Sequence, residues 1–168
     1  MRAACVALLA AAPAFADGAN FGAGAWFSAP SESVAHKDAG ISFELRYLWP
    51  HASAGVDLFA SGAFGNLTTS FVSARGAWVV LDAAVSPYLG AGIGFFGQTL
   101  HCNAGQSGCL PFSSSGAAGA LEVGLLLWRR VAASAQWIEP VTRSQPAVFP
   151  AVEASPIPLL LVGVRVLG

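Results

Sequence analysis

The most regular pattern in the chain is a strict alternation of apolar and polar residues. It is clearest in GISFELRYLW, residues 40–49, where every second residue from Ile41 to Trp49 is apolar and Ser42, Glu44 and Arg46 lie between them. An α-helix would scatter these positions around its axis, whereas a β-strand sends them to opposite faces of a sheet. The segment is therefore predicted to be a strand with one apolar and one polar face.

Similar segments recur along the chain and are bounded by clusters of Gly, Pro, Ser and Asn, which are typical of turns and loops. The eight predicted strands cover residues 19–29, 40–49, 55–64, 71–81, 87–98, 116–128, 131–140 and 157–167. Their lengths are close to the roughly 9–11 residues that a tilted strand needs to cross a bilayer.

The composition favours a membrane environment. The chain of 168 residues is 55% hydrophobic and only 10% charged, against roughly 25% charged residues in an ordinary soluble domain. After residue 16 there is no apolar run long enough for a membrane helix. Because backbone polar groups in lipid must be satisfied internally, the alternative is a closed barrel. The predicted fold is all-β, an eight-stranded antiparallel up-and-down transmembrane β-barrel.

The connections between the predicted strands alternate in length. Short turns fall at 50–54, 82–86 and 129–130, and longer connections fall at 30–39, 65–70, 99–115 and 141–156. Outer-membrane barrels have short periplasmic turns and longer external loops. With a periplasmic amino terminus, all the longer connections are predicted to be external.

The charged residues that we assign to the strands can all be placed on one common face, which we predict to line the lumen. For Arg75, the inward direction is inferred from its own charge, because both faces of its strand are fairly apolar and do not distinguish inside from outside. An Arg or Lys on the lipid face at the midplane would cost roughly 2–4 kcal/mol, and this prediction leaves the lipid face without charge. The predicted lumen charge network consists of Glu44, Arg46, Asp57, Arg75, Glu122 and Arg165.

Alternating glycines mark the segment PYLGAGIGFFGQ, residues 87–98. Glycine weakens a strand interior, so glycines at every second position indicate that one face is kept free of side chains. The interior of an eight-stranded barrel is only just wide enough for its side chains. We therefore predict that Gly90, Gly92 and Gly94 face the lumen and make room for the long arginine side chains.

The tryptophans provide candidates for interface aromatics, which are enriched where a membrane meets water. Trp49 and Trp78 lie at predicted periplasmic strand ends, and Trp137 lies towards an external end. Strand parity would turn Trp26 and Trp128 into the lumen. Trp49, Trp78 and Trp137 are therefore the predicted girdle.

The first sixteen residues, MRAACVALLAAAPAFA, combine a positive start, an apolar centre and an A-x-A ending. This pattern is typical of a secretory signal peptide. The alternative is a short amphipathic or buried helix. We predict a signal peptide over residues 1–16 with cleavage near Ala16, and a barrel domain over residues 17–168.

Two cysteines, Cys102 and Cys109, lie in one predicted external loop. Export exposes them to an oxidising compartment, which favours a local disulfide. A metal site that includes His101 is the alternative, but no fourth ligand accompanies these three residues. We predict the disulfide, and no metal or cofactor.

With its signal peptide, eight alternating strands and the segment PYLGAGIG at residues 87–94, the chain resembles the small outer-membrane β-barrels of Gram-negative bacteria, the OmpA/OmpX type. The resemblance covers roughly residues 17–168. It implies residence in the outer membrane, insertion by the barrel-assembly machinery and a lumen plugged by polar side chains. The family commonly ends its last strand with an aromatic residue, and this chain departs from that pattern with Val166-Leu167-Gly168.

These features predict a monomer that is embedded in outer-membrane lipid. Its role would be structural, or it would interact at the cell surface through its external loops, with an extracellular ligand as a possible partner. The alternative is a narrow or gated, porin-like pore for small solutes or ions. The formal charge of −1 speaks against nucleic acid as a partner.

Two further alternatives are weaker. Small outer-membrane barrels include lipid-modifying enzymes, but His36 and His101 lie in predicted loops and His51 in a turn, without a serine and an acid held beside them. We predict no catalytic residues. A soluble calyx of the lipocalin type would have an apolar interior and a polar exterior, the reverse of the pattern found here.

Overall fold

The structure is a computed structural model that describes residues 18–28, 39–62, 67–81, 83–101, 112–141 and 158–168. Its elements are the strands β1 (Gly18–Ser28), β2 (Ala39–Leu48), β3 (Ala52–Ser61), β4 (Leu67–Val79), β5 (Val85–Leu100), β6 (Phe112–Leu127), β7 (Val131–Pro140) and β8 (Leu159–Leu167). Within these ranges, no helix is long and apolar enough to cross a bilayer.

The strands form one closed sheet. Each strand pairs antiparallel with its neighbour in the chain, and β1 also pairs with β8. At the closure, the Phe21 and Gly168 backbones exchange hydrogen bonds of 2.8 and 2.7 Å. The predicted fold class, an eight-stranded antiparallel up-and-down barrel, is confirmed.

The strand register gives the barrel its stagger. Following the paired residues once around the sheet from Gly18 returns to β1 at Ser28, ten residues further along that strand. Such a stagger requires strands that are tilted by roughly 35–45° against the barrel axis. With eight strands, the lumen is only just wide enough to be filled by side chains.

The two ends of the barrel differ. We call the end with the short connections at 49–51, 80–84 and 128–130 the turn end, and the opposite end, where β1, β3, β5 and β7 finish, the loop end. The longest strands are β5 and β6, with 16 residues each. They remain paired as far as Leu100 and Phe112 at the loop end.

Several strand boundaries differ from the sequence prediction. β3 begins at Ala52 rather than residue 55, because Ala52 already pairs with Trp78 of β4. β5 and β6 extend into the segment that was predicted to be a loop over residues 99–115. The serines at 113–115 resemble loop composition, but their backbones continue the ladder with β5.

The two faces of the sheet have opposite character, as the alternation predicts. Large apolar side chains such as Phe43, Leu89, Ile93 and Leu121 lie exposed on the outer face. The inner face carries buried charged and hydroxyl side chains together with buried aromatic ones. This arrangement reverses the usual distribution in a soluble protein.

Glycines lie opposite the largest inward side chains. In the strand ladders, Gly24 pairs with Arg165, Gly124 pairs with Tyr88, and Gly163 pairs with Trp26. A Cβ built on Gly163 would lie 2.5 Å from the Trp26 ring, closer than real atoms approach. The glycines thus allow bulky side chains to lie flat across neighbouring strands.

The lumen is divided into three layers. A loop-end layer of apolar side chains contains Trp26, Phe59, Phe71, Phe96, Ala118, Ala120, Ile138 and Leu161. A turn-end layer contains Val79, Tyr88, Leu126, Ala132 and Leu167. The charged residues lie between them, as β6 illustrates: Glu122 follows Ala120 of the first layer and precedes Leu126 of the second.

Candidate functional site: a buried charge layer in the lumen

The charged residues between the two apolar layers form the most distinctive site in the barrel, and we call them the charge layer. The structure places all six predicted residues of the lumen network in it. Their side chains are buried and point inward from β2, β3, β4, β6 and β8. The members are Glu44, Arg46, Asp57, Arg75, Glu122 and Arg165.

Arg165 is the centre of the charge layer. Its side chain is fully buried, and Nη1 donates a hydrogen bond of 3.0 Å to Glu44 Oε2. Nη2 donates to Glu122 Oε1, and it also donates to Tyr88 Oη at 2.7 Å. A guanidinium presents several donors in a fixed plane and suits this role better than an ammonium group. Arg165 therefore links β8 to β2, β5 and β6.

Two aromatic side chains complete the surroundings of Arg165. Tyr88 Oη donates a hydrogen bond of 2.5 Å to Glu122 Oε1. The Trp26 ring centroid lies 5.2 Å from Arg165 Cζ, within cation–π range. Trp26 Nε1 donates to Ser42 Oγ at 2.7 Å, so its polar group is satisfied in the lumen.

The remaining arginines each lie close to a carboxylate. Arg46 Nη2 donates to Glu44 Oε2 at 2.6 Å. Arg75 Nη1 lies 3.1 Å from Asp57 Oδ2 and 3.2 Å from Glu122 Oε2, at ion-pair distance without hydrogen-bond alignment. The layer thus brings three carboxylates and three guanidinium groups together with no net formal charge.

Sequence reasoning missed Tyr88. It lies in the segment PYLGAGIG two residues before Gly90, so the parity that turned the glycines inward also places Tyr88 in the lumen. The parity signal is present in the sequence, but parity alone does not identify this aromatic residue as a partner for the charges.

The structure assigns different neighbours to the three predicted lumen glycines. All three lie on the inner face, and Gly92 leaves space for Arg75, whose Cγ would lie 2.9 Å from a Cβ at that position. Gly90 lies beside Glu122, and Gly94 lies against Ser73 and the backbone of β4. The space for Arg165 comes from Gly24 instead. The predicted link between these glycines and the arginines therefore holds only for Gly92.

Two expectations about the side chains are wrong. The first is that the outer face carries no charge: Glu139 of β7 lies on that face, where it accepts a 3.0 Å hydrogen bond from Trp137 Nε1. The second concerns a tryptophan. Trp128 does not enter the lumen. β6 ends at Leu127, so strand parity no longer applies in the turn that follows, and the Trp128 side chain is 68% exposed.

The predicted girdle residues lie on the outside of the barrel. Trp49 and Trp78 are exposed near the turn end, and Trp137 is exposed towards the loop end. Tyr47 extends the aromatic surface at the turn end, with its ring centroid 4.7 Å from that of Trp49.

Several predicted features fall beyond the described residues. These are the signal peptide over 1–16, His36 and both Cys102 and Cys109. His51 is exposed at the turn end, and His101 is exposed beyond the end of β5 at the loop end. Among the side chains that the structure describes, no group of three or more His, Cys, Asp or Glu is arranged to hold a metal ion.

The arrangement has a clear physical consequence for transport. An ion moving along the lumen would have to pass an apolar layer, the paired charges and a second apolar layer. Separating the paired charges would have an electrostatic cost, because each charge would lose its partner in a low-dielectric interior.

A closed eight-stranded antiparallel barrel with an apolar outside and a filled, charged inside is the architecture of small outer-membrane β-barrel proteins. Among solved structures, the chain is similar to Neisserial surface protein A (NspA). The two share 16% sequence identity with a TM-score of 0.61, over 89% of this chain and 96% of that one. At this identity the likeness concerns the fold.

Two further solved structures have the same fold. The amino-terminal barrel of OprF from Pseudomonas aeruginosa is 11% identical with a TM-score of 0.52, over 89% of this chain and 97% of that one. Ail from Yersinia pestis, in complex with the heparin analogue sucrose octasulfate, is 13% identical with a TM-score of 0.54, over 91% of this chain and 100% of that one. By sequence, no family model and no curated protein matches the chain.

Proposed function

We propose that the chain is an integral β-barrel protein of the bacterial outer membrane that acts through its loop end while its lumen stays closed. The observation that carries this proposal is the reversed polarity of the barrel. Apolar side chains such as Leu45, Leu89 and Ile93 lie exposed outside, whereas Glu44, Glu122 and Arg165 are buried inside. In water this surface would be unfavourable, and in lipid it is the favourable one.

The same proposal gives the protein its orientation and its lipid partners. The short turns and Trp49 and Trp78 face the periplasmic side, and the loop end faces outward. Residues 1–16 direct export, the barrel-assembly machinery inserts the chain, and outer-membrane lipid surrounds the resulting monomer. No catalytic role is part of the proposal.

The closed lumen forms the second part of the proposal. Support comes from the two apolar layers and from Arg165, which has no exposed side-chain surface and contacts two carboxylates. With the lumen closed, the protein has a structural or surface-interaction role. The complex of Ail with a heparin analogue is a case in which a barrel of this fold was solved with a ligand.

Refolding residues 17–168 into lipid vesicles tests the membrane assignment. We expect a β-rich circular dichroism spectrum and a shift in gel mobility between boiled and unboiled samples. A protein that stays soluble without detergent and shows no shift would contradict the proposal and favour the soluble calyx.

Planar-bilayer recording tests the closed lumen separately. We expect no discrete conductance steps from the wild-type barrel, or from Arg75→Ala, because both apolar layers remain in that variant. Reproducible steps in the wild type would identify a pore instead.

A further inference from the structure

The outer face of β4, β5 and β6 changes character at the loop end. Up to Val72, Phe95 and Ala117 it is apolar, and beyond these residues it carries small hydroxyl side chains. We call this region the hydroxyl face. It consists of Thr68, Ser70, Thr99, Ser113 and Ser115 around Gly97.

The hydroxyl face is a regular grid in the strand register. Thr68, Thr99 and Ser113 form one row of cross-strand partners. Thr68 Oγ1 donates to the Thr99 carbonyl oxygen at 3.3 Å, and the Thr99 and Ser113 hydroxyls lie 3.3 Å apart. Because a hydroxyl is both a donor and an acceptor, these contacts hold the side chains in place while leaving further capacity for hydrogen bonds.

The second row of the grid has a recess at its centre. Ser70, Gly97 and Ser115 are cross-strand partners, and a Cβ on Gly97 would have only Ser70 Oγ within 4 Å, at 3.2 Å. Among the described glycines only Gly62 has a positive φ, so the backbone does not require glycine at position 97. Strand glycines mark bulges, tight bends, or sites where a ligand or another backbone approaches closely. The pairing of β5 with β4 and with β6 continues through Gly97 without a bulge.

An aromatic side chain borders the recess on its membrane side. Phe95 lies two residues from Gly97 on the same face of β5, and its side chain is 63% exposed. Hydroxyl groups therefore lie on three sides of the recess, and an aromatic ring lies on the fourth. None of the side chains in this grid carries a charge.

We propose that this recess binds a sugar ring in the headgroup of an outer-leaflet glycolipid. The sugar hydroxyls exchange hydrogen bonds with Ser70, Thr99 and Ser115, and the apolar C–H face of the ring packs against Phe95. The proposal rests on the membrane assignment above, because the hydroxyl face continues directly from the surface that would contact acyl chains. This continuity favours a lipid-anchored sugar over a soluble one, and the absence of charge from the grid favours sugar over phosphate.

The test uses purified lipopolysaccharide that retains its core sugars, with phosphatidylglycerol as the comparison lipid. Refolded wild-type barrel is incubated with both lipids, and the lipid retained per barrel is counted by native mass spectrometry. We expect retention of the glycolipid in preference to phosphatidylglycerol. Gly97→Leu fills the recess and should lower glycolipid retention at least about tenfold, which corresponds to about 1.4 kcal/mol. Thr99→Val should give a smaller loss.

Gly119→Leu is the matched control. Gly119 lies on the outer face of β6 beside Ile93, within the apolar part of the surface, and a Cβ there would meet nothing within 4 Å. The same substitution at this position should leave retention unchanged. Equal losses in Gly97→Leu and Gly119→Leu, or no loss in either, would overturn the proposal. So would equally strong binding of the free core oligosaccharide.

The gel-mobility shift separates this inference from the proposed function. If the wild type and both glycine variants show the shift but the wild type does not prefer the glycolipid, only the sugar site is wrong. If the wild type shows no shift, the membrane assignment fails, and the sugar site fails with it.

Discussion

Arg165 of β8 and Glu44 of β2 form a buried ion pair, with Nη1 and Oε2 3.0 Å apart, although β1 lies between their strands. The contact is possible because β1 carries glycine at both positions beneath it. A Cβ on Gly22 would lie 2.6 Å from Glu44 Cγ, and one on Gly24 would overlap Arg165 Cγ. The charge layer therefore depends on the absence of side chains at Gly22 and Gly24 of β1 as well as on the charged residues themselves.

Gly24→Ala is expected to destabilise the barrel by roughly 1–3 kcal/mol, the usual cost of overpacking an interior. The new methyl group would meet the Arg165 side chain and, at 2.9 Å, the Val164 carbonyl oxygen. Urea titration of the refolded protein in lipid vesicles, followed by tryptophan fluorescence, measures the loss.

The control for that experiment is Gly119→Ala, since its methyl group projects into open space on the outer face. We expect its unfolding midpoint to equal or exceed that of the wild type. If the two variants behave alike, close packing of β1 against the charge layer is not what Gly24 provides.

Arg165→Leu should lower the free energy of unfolding by about 3–5 kcal/mol, because it removes the positive charge that pairs with the buried carboxylates of Glu44 and Glu122. Arg165→Lys keeps the charge but loses the planar set of donors, so an intermediate value is expected. The triple variant Arg165→Leu, Glu44→Gln, Glu122→Gln should recover part of the loss. An Arg165→Leu barrel as stable as the wild type would show that the network contributes little.

Quenching of single-tryptophan variants can test which way the side chains point. Trp78 is exposed on the outer face and should be quenched strongly by brominated lipid. Trp26 is buried in the loop-end layer and should resist both brominated lipid and aqueous iodide. Quenching of Trp26 by iodide to the same degree as an exposed tryptophan would mean that water reaches the lumen.

The turn at 128–130 contains an unfavourable backbone that can be relieved. Trp128 and Arg129 have φ values of 48° and 55°, and Asn and Gly adopt such left-handed positions more readily than Trp and Arg. The double variant Trp128→Asn, Arg129→Gly should gain roughly 1 kcal/mol in unfolding free energy. That gain allows for loss of the 3.0 Å hydrogen bond from Arg129 Nη2 to the Pro50 carbonyl oxygen.

Arg130→Gly is the control in this turn, because Arg130 is outside the left-handed pair and glycine there only adds flexibility. We expect it to be neutral or destabilising. A double variant no more stable than Arg130→Gly would show that the left-handed backbone costs little in this barrel.

Most of the fold follows from local sequence because a period of two determines both the strand and its faces. Residues 40–49 illustrate this: the alternation places Glu44 and Arg46 inside without any knowledge of their partners. The alternation shows which face a side chain lies on, but it does not show which side chains contact one another across the lumen. The pairing of Arg165 with Glu44, 121 residues away, depends on the ten-residue stagger of the closed sheet.

Parity also fails where a strand ends, because one residue more or less reverses every assignment beyond that point. Trp128 is such a case, since β6 stops at Leu127. The serines at 113–115 show the opposite error: their composition indicates a loop, yet backbone pairing with β5 holds them in a strand. Neither result could be read from the local sequence alone.

The distribution of lumen charges along the chain bears on how the barrel enters a membrane. The hairpin of β1 and β2 carries Glu44 and Arg46, and that of β3 and β4 carries Asp57 and Arg75, so each is neutral by itself. The later hairpins carry Glu122 and Arg165, one lumen charge each and of opposite sign. On the proposed membrane assignment, the first two hairpins would bring no unbalanced lumen charge into hydrocarbon. For the last two hairpins, pairing of Glu122 with Arg165 would favour their entry together, so that β8 neutralises β6.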